Sequence, residues 1–321
     1  MADPTPALTD VEGLLVGHVT DREAATGCTV VLGPPEGMAA GVAVRGRATG
    51  TREFDALSPR HLVPGIHAIL LTGGSAFGLG AADGVMRWLA ERGRGFDVGV
   101  GVVPIVPAAV VFDLALLGRS DRWPGPAEGY RACEAAGGTV EEGSVGVGTG
   151  ATVGKVTGPA GAMKSGVGSW AEQRDGVVVG ALAVVNAYGD VRDGEGQILA
   201  GARRGGEFVD ARRYLAEGGA PGGSFARAGA NTTLVVVGTN ARLSRGELAE
   251  TAAMSVDAMA QRITPLGTQF DGDIVFAVST EKRTGVSPIA VEMLAQEAVA
   301  MAIERAVRTA VGTDAVPGLA G

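Results

Sequence analysis

Residues 217–238 read EGGAPGGSFARAGANTTLVVVG and fall into two halves of opposite character. The first, 217–230, has glycines at 218, 219, 222, 223 and 229 and no hydrophobic period, which predicts a mobile, exposed linker. The second opens on Asn231-Thr232-Thr233 and passes directly into the aliphatic run 234–237. A continuous run of this kind forms a strand covered on both faces. A flexible tether feeding straight into a buried strand is unusual unless the junction itself has a purpose.

Comparable runs recur at 28–32, 41–45, 67–72, 98–103, 177–186, 233–237 and 274–278, and most are continuous rather than alternating. Helical patterns lie between them. One covers 75–92, with apolar Phe77, Leu79, Val85, Trp88 and Leu89, and a shorter one covers 127–136. Beyond the Asn-Thr junction, Ser244 and Glu247 form a capping box ahead of Leu248, Ala252, Val256, Met259 and Ile263 at helical spacing. The segment 288–311 begins with proline at a favoured first-turn position and is apolar around much of its circumference, so it should pack deeply. Strands and helices mixed throughout, with no internal repeat, predict an α/β layered fold.

Composition narrows the function classes. Of 321 residues, 46% are hydrophobic but only 4% aromatic, and 53 are glycine without a collagen period. Such a core relies on small aliphatic side chains and close backbone approach. The net charge of −8 and the lack of a basic stripe argue against nucleic acid or an anionic membrane as partner. Cys28 and Cys133 are too few for a metal cluster and suit a reducing cytoplasm, and residues 1–20 lack the pattern of a secretory signal. The apolar segment 98–117 contains Pro104, Pro107 and Asp113, which favours a buried strand pair joined by a turn over a membrane span. Lysine occurs only at 155, 164 and 282 among the 27 basic residues, so two lysines in the glycine-rich 146–168 segment stand out as functional candidates.

Several motifs fail on inspection. The loop 71–80, LTGGSAFGLG, follows a strand and opens a helix, the setting of an anion site. Its glycines do not match the dinucleotide fingerprint, and Phe77 stands where a nucleophile elbow around Ser75 needs glycine. The segment 146–155, GVGTGATVGK, misses the phosphate-loop register, with Thr149 at the first glycine position and Val156 in place of Ser/Thr. His18, His61 and His67 fit no metal spacing, and the Asn231-Thr232-Thr233 glycosylation pattern has no meaning without secretion.

An N-terminal threonine, by contrast, carries chemistry of its own. Its α-amine, with an ordinary pKa of about 8, lies within reach of its own hydroxyl and can act as general base. Before such a chain is cut, the same hydroxyl can attack the preceding carbonyl and form an ester that water opens.

Four motifs then point one way: GTGATVGKVTG at 148–158, VVVGALAVVNAYGDV at 177–191, GANTTLVVVGTNA at 229–241 and DGD at 271–273, with GGSAFGLGAADG at 73–84 in support. Together they resemble the self-processing L-aminopeptidase/D-esterase (DmpA) family, and the Asn-Thr junction is most similar to its nylon-oligomer hydrolase branch. The resemblance spans nearly the whole chain. It implies a four-layer αββα sandwich built as one unit, cut between Asn231 and Thr232 into fragments 1–231 and 232–321 that stay associated as tetramers of cleaved heterodimers. It implies Thr232 as nucleophile, Lys155 as the cation that lowers the α-amine pKa, and Asn186 as donor to the oxyanion. Asp271 and Asp273 would orient the new N-terminus. No cofactor or metal is implied, and the substrates of the family are small peptides, amino-acid amides and esters, β-peptides or linear amide oligomers. Phe112 stands where some relatives carry a tyrosine near the substrate, so substrate preference does not transfer.

Read without the resemblance, Lys155 could be an ordinary ion-pair residue, Asn186 a cap on the turn at Gly189-Asp190, and 271–273 an exposed turn. A non-enzymatic protein binding a nucleotide or other anion at the 71–80 loop would remain uncut.

Overall fold

The computed structural model describes residues 5–114, 117, 119–220 and 231–320. Ten strands form two five-stranded sheets. The first contains β1 (Leu15–Asp21), β2 (Thr26–Leu32), β4 (Thr51–Arg52), β5 (Ala68–Thr72) and β6 (Ala108–Val110), in the order β1-β2-β5-β6-β4. The second contains β3 (Ala39–Val44), β7 (Val167–Arg174), β8 (Val177–Asn186), β9 (Thr232–Ala241) and β10 (Ile274–Arg283), in the order β7-β8-β9-β10-β3.

Side chains alternate along these strands, and the alternation separates three apolar layers. Val30, Leu70 and Ala108 of the first sheet pack under α1 (Ala81–Ala90) and α2 (Pro126–Glu134). Their neighbours Val31, Ile69, Leu71 and Ala109 meet Leu182, Val184, Leu234, Val236 and Phe276 of the second sheet. On the far side, Ala181, Ala183, Val235, Val237 and Ala277 lie under α4 (Arg245–Arg262) and α5 (Pro288–Arg308). A fifth helix, α3 (Ala211–Ala216), lies outside these layers. The architecture is therefore helix, sheet, sheet, helix. Strands covered on both faces explain why the sequence runs were continuous.

Close approach fits the glycine content at the helix–sheet contacts. A Cβ at Gly168 in β7 would fall 2.1 Å from the Ala302 carbonyl oxygen of α5. The α4 capping box forms, with Ser244 N–H donating to Glu247 Oε2 at 2.7 Å.

Three readings need correction. The run 98–103 is not a buried strand: Val102–Val103 pairs with Phe96–Asp97 in a small hairpin, and Val98 and Val100 are exposed. Gly99 and Gly101, at φ 82° and 152°, alternate with the valines and turn the chain back on itself. The buried strand of the 98–117 segment is β6 alone, and no described helix is long and apolar enough to cross a membrane. Strands β1 and β7 were missed because they lie at sheet edges, where half-buried polar residues interrupt the apolar pattern. Of the 217–230 segment, 221–230 lie outside the described residues, while Glu217, Gly218 and Ala220 are exposed.

Candidate active site

The site forms where three strand ends meet. Strand β8 ends on Asn186 and antiparallel β9 begins on Thr232, so their register sets these two residues opposite each other. Strand β10 runs parallel to β9, and its entry, Asp271-Gly272-Asp273, lies beside Asn231 through an Asn231–Asp271 bridge.

Thr232 is 3% exposed. Its Oγ1 donates to the Asn231 carbonyl oxygen at 2.7 Å, and the Gly272 N–H donates to the same oxygen at 2.8 Å. The carbonyl before the threonine is thus held by two donors, one of them the threonine's own hydroxyl. A Cβ at Gly272 would fall 2.8 Å from Thr232 Oγ1 and 2.5 Å from the Ala48 carbonyl oxygen, so a larger residue would crowd both.

Lys155 reaches the site from a short turn. Gly154 precedes it in the left-handed region at φ 71°, and the Lys155 N–H donates to the Tyr188 carbonyl at 3.0 Å. The fully buried side chain places Nζ 2.7 Å from Asn186 Oδ1 and 3.2 Å from the Asn186 carbonyl oxygen. The Thr152 N–H donates to Oδ1 as well, at 3.1 Å, while Asn186 Nδ2 donates to the Phe112 carbonyl at 3.2 Å. Two donors on the oxygen and an acceptor at the nitrogen fix which way the amide points.

Asp271 and Asp273 are 2% and 1% exposed, so the exposed-turn reading does not hold. Asp271 Oδ2 accepts from the Thr268 N–H at 2.8 Å and its hydroxyl at 2.6 Å. Asp273 accepts from the Thr233 N–H at 2.8 Å and the Gly267 N–H at 3.1 Å. Behind them, the Arg47 and Ala48 N–H groups donate to the Asp271 carbonyl, and those of Arg45 and Gly46 to the Asp273 carbonyl.

Burial sets the protonation states. It pulls the Lys155 ammonium down to about 7, with the charge of Asp271 opposing. It pushes the Asp271 carboxyl up, held back by its Thr268 bonds and by Lys155. Asp273 is pushed up by burial and then by the charge of Asp271. A lysine that loses its proton near neutrality, beside an oriented amide and a hydroxyl on a carbonyl, is equipped for acyl transfer.

The model of peptidase family S58 matches residues 6–316. The chain belongs to that family. It is therefore a hydrolase of C–N amide bonds. An uncharacterized aminopeptidase of Mycobacterium tuberculosis, Rv1333, is 44% identical over 329 residues, covering 98% of this chain and 91% of its own. A 6-aminohexanoate-oligomer endohydrolase of Kocuria sp. is 32% identical over 284 residues, covering 85% of this chain and 74% of its own. In fold, the S58 chain is similar to an L-aminopeptidase D-Ala-esterase/amidase from Ochrobactrum anthropi, described as a variant of the Ntn hydrolase fold. The TM-score is 0.69 at 21% identity, with coverage of 96% and 87%.

The structure brings together all five residues the sequence singled out, with Asn231 beside them. Sequence reasoning missed the backbone donors Gly272 N–H and Thr152 N–H, the Phe112 carbonyl and the bracing loop 45–48. The Asn186 amide serves Thr152, Lys155 and Phe112 rather than a turn at Gly189. In the 71–80 loop, the Gly74 N–H is taken by Asp113 Oδ1 at 2.7 Å and the Ser75 N–H by the Val111 carbonyl at 3.0 Å. An internal carboxylate already sits where an anionic ligand would bind. The histidine rings serve the local structure: His18 bonds Thr29, while His61 and His67 accept from Val63 and Ile105.

Proposed function

We propose that this S58 member cuts itself between Asn231 and Thr232 and then hydrolyses small amides with Thr232 as its N-terminal nucleophile. The observation that carries the reading is the double hold on the Asn231 carbonyl by the Thr232 hydroxyl and the Gly272 N–H. Thr232 Oγ attacks the Asn231 carbonyl carbon, and the scissile nitrogen leaves as the Thr232 α-amine. The ester that forms joins the Asn231 acyl group to Oγ. Water opens it, releasing the Asn231 carboxylate. Gly272 N–H supports the oxyanion during this step. No α-amine exists before cleavage, so Lys155, able to shed its proton near pH 7, takes up the hydroxyl proton and returns it to the scissile nitrogen as the C–N bond breaks.

In the cut enzyme the α-amine becomes the base. It accepts the Oγ proton as Oγ attacks the substrate carbonyl, and protonated Lys155 lowers its pKa through charge repulsion. Asn186 Nδ2 donates to the substrate oxyanion. The leaving amine takes the proton, and water releases the acid from the acyl-enzyme. Asp271 and Asp273 anchor the strand entry and hold the threonine end in register. Thr232 is covered in the uncut chain, so substrate reaches it after the new ends separate.

The substrate class comes from similarity: free-amino-terminal peptides or amides, as for the aminopeptidase relatives, or linear amide oligomers, as for the endohydrolase. Assembly of cleaved pairs into homotetramers in a cytoplasmic setting belongs to the same proposal. Purified enzyme given chromogenic amino-acid amides and a 6-aminohexanoate oligomer should release amine from at least one, and Thr232→Ala from none. Equal turnover by the variant would remove the nucleophile.

A further inference from the structure

Besides Lys155, the S58 chain buries a second lysine near an aspartate, and the reaction above uses neither. Lys164 is 1% exposed and Asp113 3%. Two buried charged groups are unfavourable unless their bonds are satisfied, and here every donor of the lysine is engaged. Lys164 Nζ donates to the carbonyls of Gly148 and Ala151 at 3.1 Å and to that of Ser165 at 2.5 Å. Asp113 accepts from the Thr26 hydroxyl at 2.6 Å and from the Gly74 N–H at 2.7 Å.

What these bonds hold is informative. Lys164 lies directly opposite Thr152 in a short antiparallel ladder, Thr152–Val153 with Met163–Lys164. It grips the 148–151 turn immediately before Thr152, whose N–H bonds Asn186 Oδ1. Asp113 immediately follows Phe112, whose carbonyl bonds Asn186 Nδ2. The two clamped segments also touch. A Cβ at Gly150 would fall 2.6 Å from Asp113 Cβ, and one at Gly73 only 2.1 Å from Asp113 Oδ2. Glycines of the 71–80 loop and the 146–155 segment, Gly73 and Gly150, therefore make room for this clamp. Burial pulls Lys164 down to about 7 and pushes Asp113 up to about 6, each opposed by the other's charge.

We infer that Lys164 and Asp113 are positioning residues for the Asn186 side chain, clamping the two backbone segments that fix its amide oxygen and amide nitrogen. They touch no substrate. Lys164 sets the place of the Thr152 N–H, and Asp113 that of the Phe112 carbonyl. A carboxamide aimed at a developing oxyanion is sensitive to displacement, so the clamp acts on turnover rather than substrate affinity.

The inference rests on the oxyanion role proposed for Asn186, and a double-mutant cycle tests it. Lys164→Met, Asp113→Asn and Asn186→Ala would be made singly, and each clamp variant combined with Asn186→Ala, in the processed full-length enzyme. With one chromogenic amide, Lys164→Met should lower kcat about tenfold with KM within about twofold. In the Asn186→Ala background the same substitution should cause no further loss. Equal losses in both backgrounds, or unchanged kcat in Lys164→Met, would overturn the clamp. Should Lys164→Met fail to fold, Asp113→Asn, which keeps shape and volume, takes its place in the cycle with the same outcomes supporting or overturning the clamp. Thr232→Ala run alongside separates the two claims. Turnover there removes the nucleophile reading, whereas a missing Lys164–Asn186 coupling removes only the clamp.

Discussion

Lys155 and Lys164 lie nine positions apart, are both buried, are both pulled down to about 7, and each has an aspartate nearby in charge terms. By electrostatics alone they are twins. Their partners differ. Lys155 bonds a side-chain amide set opposite Thr232, whereas Lys164 bonds three backbone carbonyls. A perturbed pKa marks a candidate for chemistry, but the atoms a group touches decide whether it takes part in the reaction or holds the scaffold of those that do.

The sharpest way to break this contrast is to remove each charge. Lys155→Met should slow processing by about a thousandfold or more, since it removes the proposed proton acceptor and leaves Asn186 Oδ1 short of a donor. Incubated beside it, Lys164→Met should still process within hours, as followed by gel densitometry. Equal arrest in both would erase the distinction. Next in size, Asn186→Ala in processed enzyme should lower kcat about a hundredfold, the usual loss for one oxyanion donor, and should also lower Tm, since it takes the side-chain acceptor from the buried Lys155 Nζ and Thr152 N–H. A loss confined to KM would instead make Asn186 a substrate-binding residue.

The comparison sharpens along pH. Below about 7 Lys155 carries its proton and cannot accept another. Processing of freshly denatured and refolded chain should therefore rise with pH through about 7 and level off. A flat profile from pH 5 to 9 would contradict the role.

The smallest expected effect lies away from both lysines. Asp190 is buried, accepts from the Ala202 and Ala211 N–H groups, and is pushed by burial up to about 6. A carboxyl raised in the folded state contributes stability that is present below its unfolded pKa of about 4 and lost as pH rises through 6. Asp190→Asn, in a Thr232→Ala chain that stays whole, should therefore gain Tm relative to its parent by about 2 °C or more between pH 4 and 7. A constant difference would contradict the assignment.

Much of the fold was legible in the sequence because strands buried on both faces leave unbroken aliphatic runs. Residues 177–186 and 274–278 show this, and the Ser244–Glu247 box marks α4. The 98–103 run misled because its valines alternate with glycines that turn the chain, and hydropathy does not register φ. The candidate site was legible through the family's motifs, which led to Thr232, Lys155, Asn186 and the 271–273 pair. Gly272 and Thr152 escaped because they act through backbone N–H groups, which every non-proline residue has. The Lys164–Asp113 pair joins residues 51 positions apart, and only the fold reveals that both segments meet at one amide.

The central claim is the cut itself. Intact mass of freshly purified protein beside Thr232→Ala tests it most directly. Two species of about 23 and 9 kDa are expected, the 32.1 kDa chain divided in proportion to its 231 and 90 residues, with the variant at full mass. A single 32.1 kDa species persisting through long incubation of the unaltered protein would contradict it.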